Sequence, residues 1–272
     1  MEQSKVTLGA ADLSVRRGGS GDPLLVLHGE DGHLFSGRLL ERLEDHFEVI
    51  APDHPGWGMS TRPPHVDRVR DLAELYVELL ETLDGPVPVL GWSLGAWIAS
   101  EMAVQCSHDI SGLVLVSPIG AKFGGREDRD YVDIYVMPDG ERTDVMYGDP
   151  ANAPDYSAFS EDDFITLAQA EEATVRYTWR PYMHDPKLRH RLRRISVPTL
   201  VLYGSANRFV LRHGYFENFA DSFEPPAQRT VIAGGHRLEE EDPDAVARLA
   251  SEFLAGSAHP NEIPVLTDTE RR

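Results

Sequence analysis

The chain has 272 residues, enough for one large α/β domain or for a core domain carrying an insertion. A content of 41% apolar and 26% charged residues describes an ordinary soluble globular protein. The net charge of −19 argues against nucleic acid and anionic membrane as partners and leaves a small-molecule substrate. The single cysteine, Cys106, cannot form an internal disulfide, and its place in an apolar run favours a buried thiol. The start, Met1-Glu2-Gln3-Ser4-Lys5, lacks the apolar core of a signal peptide. No apolar run approaches the roughly 20 residues of a membrane span, so a cytoplasmic location is expected. The oligomeric state stays open, a homodimer included.

In chain order, residues 6–8 and 11–17 read as two short strands joined at Gly9-Ala10, followed by a turn at Gly18-Gly19-Ser20-Gly21-Asp22. Residues 23–28 form a strand that is apolar on both faces, as a central parallel strand must be. Helical spacing follows over 34–45, then a strand over 47–51 and a helix over 67–83 with Leu72, Leu75, Tyr76, Leu79, Leu80 and Leu83 on one face. Val87–Trp92 is a strand, 96–106 a helix and Ile110–Val116 the next strand. From Ser117 to about Ile195 the rhythm breaks, with Gly, Pro, Asp and Tyr dense over 121–156 and helical stretches over 161–179 and 186–194. Strand and helix then alternate again over 199–203, 210–223, 229–232 and 244–254. Alternation implies parallel βαβ units, and the interruption implies an inserted cap. The expected organisation is a core of 1–117 and 196–256, a cap over 118–195 and a polar tail over 257–272.

The most informative segment is Gly91-Trp92-Ser93-Leu94-Gly95, set between a strand and a helix. In that context G-x-S-x-G is a nucleophile elbow. The turn is tight enough to force a positive φ on Ser93, which lifts its hydroxyl clear of the sheet above a helix N-terminus that favours negative charge. A serine needs a base and an oxyanion site. His236, on the Gly-rich loop Ala233-Gly234-Gly235-His236 past the last strand, is the candidate base. The candidate oxyanion donors are the backbone N–H of Leu94 and that of Glu30, in His28-Gly29-Glu30-Asp31-Gly32. The carboxylates of Glu30 and Asp31 are expected to face solvent; otherwise they would raise the pKa of a nearby histidine. The 11 histidines show no metal-ligand spacing, and no cofactor is expected.

These pieces resemble an α/β-hydrolase of the broad group containing esterases, epoxide hydrolases and hydrolases of meta-cleavage products. Besides the elbow, the matching motifs are Leu27-His28-Gly29, Ala51-Pro52-Asp53-His54-Pro55-Gly56-Trp57-Gly58-Met59-Ser60, Pro198-Thr199-Leu200-Val201-Leu202-Tyr203-Gly204 and Gly235-His236. They run in family order across residues 24 to 254. The resemblance implies a mostly parallel eight-stranded sheet with flanking helices and an inserted helical cap. It implies a cofactor-free serine hydrolase acting on an ester or related small acyl compound.

One position departs from the family. The triad acid lies in a Gly-x-x-Asp that follows the strand motif, and here that segment is Gly204-Ser205-Ala206-Asn207. An asparagine can fix the histidine tautomer if its carbonyl oxygen faces the ring, but it cannot stabilise an imidazolium. If its NH₂ faces the ring, Nε2 keeps the proton and cannot act as base. In serine proteases the corresponding Asp→Asn change costs about 10⁴ in kcat. The alternative acid position after Ile110–Val116 is closed, because Ser117 to Gly125 contains no carboxylate, unless Glu127 or Asp128 folds back. Asn207 is therefore a working but weaker triad member, a natural departure toward lyase, cyclase or C–C cleaving chemistry with His236 as general base, or an introduced isosteric replacement of aspartate that silences the enzyme; a catalytically impaired ligand-binding protein is the remaining alternative. Trp92 of the elbow and the aromatic cap residues Trp179, Tyr182 and Met183 are the expected pocket walls. Arg237 would meet an anionic substrate or, by preference, face solvent.

Overall fold

The structure is a computed structural model that describes residues 1–257. Of the tail expected over 257–272, all but Ser257 lies outside the described residues. Eight strands form one sheet: β1 (Glu2–Leu8), β2 (Ala11–Gly18), β3 (Pro23–Leu27), β4 (Glu48–Pro52), β5 (Val87–Trp92), β6 (Ile110–Val116), β7 (Thr199–Gly204) and β8 (Gln228–Ile232). Their order is β1-β2-β4-β3-β5-β6-β7-β8. β2 runs antiparallel to β1 and β4, and every other pairing is parallel. β1 and β2 form a hairpin in register from Glu2↔Arg17 to Leu8↔Ala11, turning at Gly9, whose φ is 51°.

The helices are α1 (Gly37–Glu44), α2 (Val69–Glu81), α3 (Leu94–Cys106), α4 (Asp139–Met146), α5 (Glu161–Thr178), α6 (Leu188–Arg191), α7 (Tyr215–Asp221), α8 (Leu238–Glu241) and α9 (Pro243–Ser257). Two apolar layers sandwich the sheet. Leu39, Leu40 and Leu43 of α1 pack with Val246, Ala247 and Ala250 of α9 over Leu24, Val26, Leu90 and Val114 on one face. On the other face, Leu72, Tyr76 and Leu79 of α2 meet Ile98, Ala99 and Met102 of α3 over Leu25, Leu27, Val89 and Leu113. Central strands must therefore be apolar on both sides, which is why β3 and β7 carry no alternating polar positions. The fold is the α/β-hydrolase fold, with its loops converging at the carboxyl ends of the parallel strands.

Between β6 and β7 lie α4, α5, α6 and several short 3₁₀ turns. α5 begins with a reciprocal cap: the Asp163 N–H donates to Ser160 Oγ, and the Ser160 N–H donates to the Asp163 carboxylate. Its buried face holds Ala170, Ala173, Thr174, Tyr177 and Thr178. That face lies on the ends of β3 and β4. Thr174 donates to Glu30 O at 3.1 Å, Tyr177 donates to Pro55 O at 2.9 Å, and the Tyr177 ring stacks on Trp57 at 5.6 Å. The basic run at 189–194 is partly absorbed by structure, since Arg191 pairs with buried Glu101 of α3 and with Asp185.

α3 leaves β5 at almost no distance from β3. A Cβ on Gly95 would lie 2.0 Å from Leu27 O and 2.5 Å from His28 O, both backbone atoms with nowhere to go. Gly95→Ala is therefore expected to push α3 off the sheet at a cost of about 1–3 kcal/mol. The urea midpoint measures this, and an unchanged midpoint would contradict the contact.

Candidate active site

Ser93 caps the N-terminus of α3 with φ 49° and ψ −112°, a strained conformation for a residue with a side chain. Its N–H donates to Val116 O at 2.9 Å, which ties the turn to β6. Leu94 is the first helical residue, so its N–H has no acceptor within the helix. A Cβ on Gly91 would sit 2.5 Å from the backbone of Gly95, so the first glycine is as obligatory as the last.

Ser93 Oγ has two partners. His236 Nε2 lies at 2.7 Å, and Glu30 Oε1 lies at 2.5 Å as acceptor of the hydroxyl proton. Behind the histidine, Asn207 Nδ2 is 3.1 Å from His236 Nδ1. Asn207 Oδ1 accepts the Val210 N–H at 3.2 Å. That second bond decides the amide's orientation, because an N–H must meet the oxygen and not the NH₂. The NH₂ therefore faces the ring, donates to Nδ1 and leaves the imidazole proton on Nε2. Burial, assisted by the Arg237 charge, holds the His236 pKa well below the ordinary value, so the ring is neutral near pH 7.

The histidine loop is anchored by its neighbours. Met146 O, at the end of α4, accepts the N–H groups of His236 and Arg237 at 2.8 and 3.2 Å. The Glu241 carboxylate accepts from Gly235 N–H on that loop and from Gly148 and Asp149 N–H just beyond α4. The Glu30 loop is held as firmly. Trp57 Nε1 and Thr174 Oγ1 both donate to Glu30 O, at 2.8 and 3.1 Å. Beneath it, His28 Nε2 accepts the His54 N–H, and His54 in turn contacts His28 O and the Tyr76 hydroxyl.

Comparison with known proteins establishes the family. The family model described as the alpha/beta hydrolase family matches residues 24–249. The chain belongs to the α/β-hydrolase family. It is similar to lipase LipV of Mycobacterium tuberculosis, 32% identical over 211 residues that cover 71% of this chain and 70% of that one. It is also similar to the 2-hydroxy-6-oxo-6-(2'-aminophenyl)hexa-2,4-dienoic acid hydrolase of Metapseudomonas resinovorans, at 24% identity over 93% of this chain and 91% of that one. Among solved structures, a thermophilic esterase from Thermogutta terrifontis superposes with a TM-score of 0.72, at 24% identity over 94% of this chain and 99% of that one. That last likeness speaks to the fold alone.

Several expectations for this α/β-hydrolase need correction. Glu30 and Asp31 do not face solvent; they are 3% and 8% exposed. Arg237 does not face solvent either, being 4% exposed and paired with Asp31, with Glu239 and Glu240 each 3.6 Å away. One guanidinium thus serves three carboxylates, with Glu30 close behind. The physical reason is charge matching between two loops that close on each other: the acids of the β3 loop and of α8 need a cation, and Arg237 is the one between them. The sequence shows only half of that match, a single arginine just before Glu239, Glu240 and Glu241; its pairing with Asp31 depends on the fold.

Trp92 is not a pocket wall. Its side chain is 1% exposed and packs in the α1–α9 layer, since alternate residues of a strand point to opposite faces. Met183 is fully buried with φ 55°, and Tyr182 donates its hydroxyl to Val132 O. Trp179 and Tyr182 line a cavity of about 380 Å³ with Lys122, Asp130, Asp133 and His184. A second cavity, of about 290 Å³, opens between α4 and α5 onto Asp31 and Arg237. Glu127 and Asp128 are exposed and do not replace the acid. Asp53 pairs with Arg16 at 2.6 Å, as a structural residue does.

The fold also brings His28, His33 and Asp53 within 4.8 Å of one another, a cluster that sequence spacing did not reveal. Each ring nitrogen of His28 and His33 already has a protein partner: Gly29 O, the His54 N–H, the Ser36 hydroxyl and Pro52 O. The cluster therefore serves as a hydrogen-bonded anchor for the loop that carries Glu30.

Proposed function

We propose that this protein hydrolyses an ester or related small acyl compound, with Ser93 as the nucleophile. The observation that carries this reading is the strained Ser93 with its Oγ 2.7 Å from His236 Nε2 above the start of α3. The N–H of Leu94 supplies the first oxyanion donor, and that of Glu30 the second once it turns from its own carboxylate to the charge that develops on the carbonyl oxygen. Asn207 orients His236. Residues 118–195 act as the cap, and substrate reaches Ser93 through the cavity between α4 and α5. Relatives named as a lipase and as the hydrolase of a dienoic acid support hydrolysis over a lyase or a binding role.

The test is twofold. Short p-nitrophenyl esters are expected to turn over, and an alkyl fluorophosphonate is expected to add covalently to the peptide containing Ser93, read by mass spectrometry. A protein that neither turns over the esters nor takes the label would refute the nucleophile assignment. No helix among the described residues is long and apolar enough to cross a membrane.

A further inference from the structure

We propose that Glu30, not His236, takes the proton from Ser93, and that His236 serves as a hydrogen-bond donor to the serine oxygen. This rests on the reading of Ser93 as the nucleophile. The argument follows the donors along one line. Val210 N–H holds Asn207 Oδ1, so the asparagine NH₂ must donate to His236 Nδ1. The Nδ1 lone pair is thereby used, and the ring's proton sits on Nε2. Nε2–H can then only donate to Ser93 Oγ at 2.7 Å. The serine proton must leave on the other side, where Glu30 Oε1 accepts it at 2.5 Å. The polarity of a Ser-His-acid triad is reversed, and the base stands at the opposite end of the chain.

Glu30 is suited to the task. It is 3% exposed, and its second oxygen, Oε2, has no hydrogen-bond partner. Burial raises its pKa above the ordinary carboxylate range, against the opposing pull of Arg237, the Ser93 hydroxyl and its own N–H. A carboxylate moved toward neutrality is a better base at pH 7 than an exposed one. Charge works in the same direction. An ionised Glu30 beside the oxyanion site would repel the tetrahedral intermediate, but a Glu30 that has just taken the serine proton is neutral.

The steps balance. The Ser93 O–H bond breaks and the Glu30 Oε1–H bond forms as Oγ adds to the carbonyl carbon and the C=O electron pair moves to oxygen. On collapse, the bond to the leaving oxygen breaks and Glu30 returns the proton to that oxygen. Water then adds to the acyl-enzyme, giving its proton to Glu30, and the acyl–Oγ bond breaks as the proton passes back to Oγ.

The experiment measures the rate at which a fluorophosphonate labels Ser93, which needs no knowledge of the natural substrate. Glu30→Gln keeps the shape and removes the base, and labelling is expected to slow by about 100-fold or more. Asn207→Asp reverses the tautomer, placing the proton on Nδ1 and freeing Nε2. Adding it to Glu30→Gln is expected to restore at least about tenfold of the lost rate, since His236 can then act as base. A Glu30→Gln rate within about threefold of wild type overturns the proposal, because general-base loss is larger than that. A double variant no faster than Glu30→Gln overturns it as well, since the loss is then structural.

A measurement on the unaltered protein covers the case in which Glu30→Gln does not fold. Nitrogen-15 spectra are expected to show His236 Nε2 as the protonated ring nitrogen, and protonation at Nδ1 instead overturns the proposal. Should wild-type Ser93 resist the label altogether, the nucleophile reading fails and this one falls with it, an outcome distinct from a labelled wild type with an indifferent Glu30.

Discussion

Ser93→Ala is expected to abolish ester turnover while leaving the protein folded. The loss should reach the order of 10⁶ in kcat, the magnitude seen when a serine nucleophile is removed from a comparable site. Nothing else near the site can substitute. His236 is held neutral but uses Nε2 to donate, and Cys106 is buried at the far end of α3 with its pKa pushed up to about 11 by burial. Stability is expected to fall by no more than about 1–3 kcal/mol, because Glu30 Oε1 and His236 Nε2 lose a buried hydrogen-bond partner when the hydroxyl goes. Turnover of p-nitrophenyl acetate and a urea melt check both halves. Turnover near the wild-type rate would remove Ser93 from the chemistry.

Arg237→Met should be the most damaging change for stability. The side chain is buried among Asp31, Glu239 and Glu240, with Glu30 adjacent, and among the described residues it is the only cation within 4 Å of those three carboxylates. Breaking a buried ion pair from one side costs about 3–5 kcal/mol, since the partners are left charged and dry. The pH dependence has a definite sign. Burial raises the folded-state pKa of Glu239 and Glu240, the latter to about 7, above the unfolded value of 4.5. A group raised in this way favours the folded state below its unfolded pKa, and that contribution is lost as the pH climbs through its folded one. Without Arg237, which pulls both values down, the loss grows. The variant's deficit is therefore expected to be largest above pH 7 and to shrink as the pH falls toward 4.5. Urea midpoints at pH 8 and pH 5 decide it, and an equal deficit at both would contradict the charge argument.

The core was legible in the sequence because its signals are periodic. The largely apolar strands β3, β5 and β6 and the elbow between β5 and α3 fall where patterning puts them, and Asn207 stands behind His236, after β7. The misses have physical causes. β1 starts at Glu2, earlier than expected, because a sheet edge tolerates exposed polar residues and carries no alternation. α4 was hidden by its Pro-Asp-Gly start, and its stability comes from what holds its last turn: Arg208 donates to Asp144 O and Tyr147 O. α7 begins only at Tyr215, because Gly214 sits at φ 69°, outside the helical region. Which way Glu30, Arg237 and the Asn207 amide point was not legible, since side-chain direction depends on partners brought together from four separate loops.

The grip of Met146 on the histidine loop has a mechanical consequence. Ser93 and His236 are each 1% exposed, so substrate must open a path. The end of α4 and the His236 loop share backbone hydrogen bonds and the Glu241 bridge, so they move as one piece. Swinging α4 outward would drag the imidazole off the serine. α5 is latched separately, on Glu30 O and Pro55 O, so moving it would leave the histidine loop in place but release one of the two donors that hold Glu30 O, with Trp57 Nε1 keeping the other.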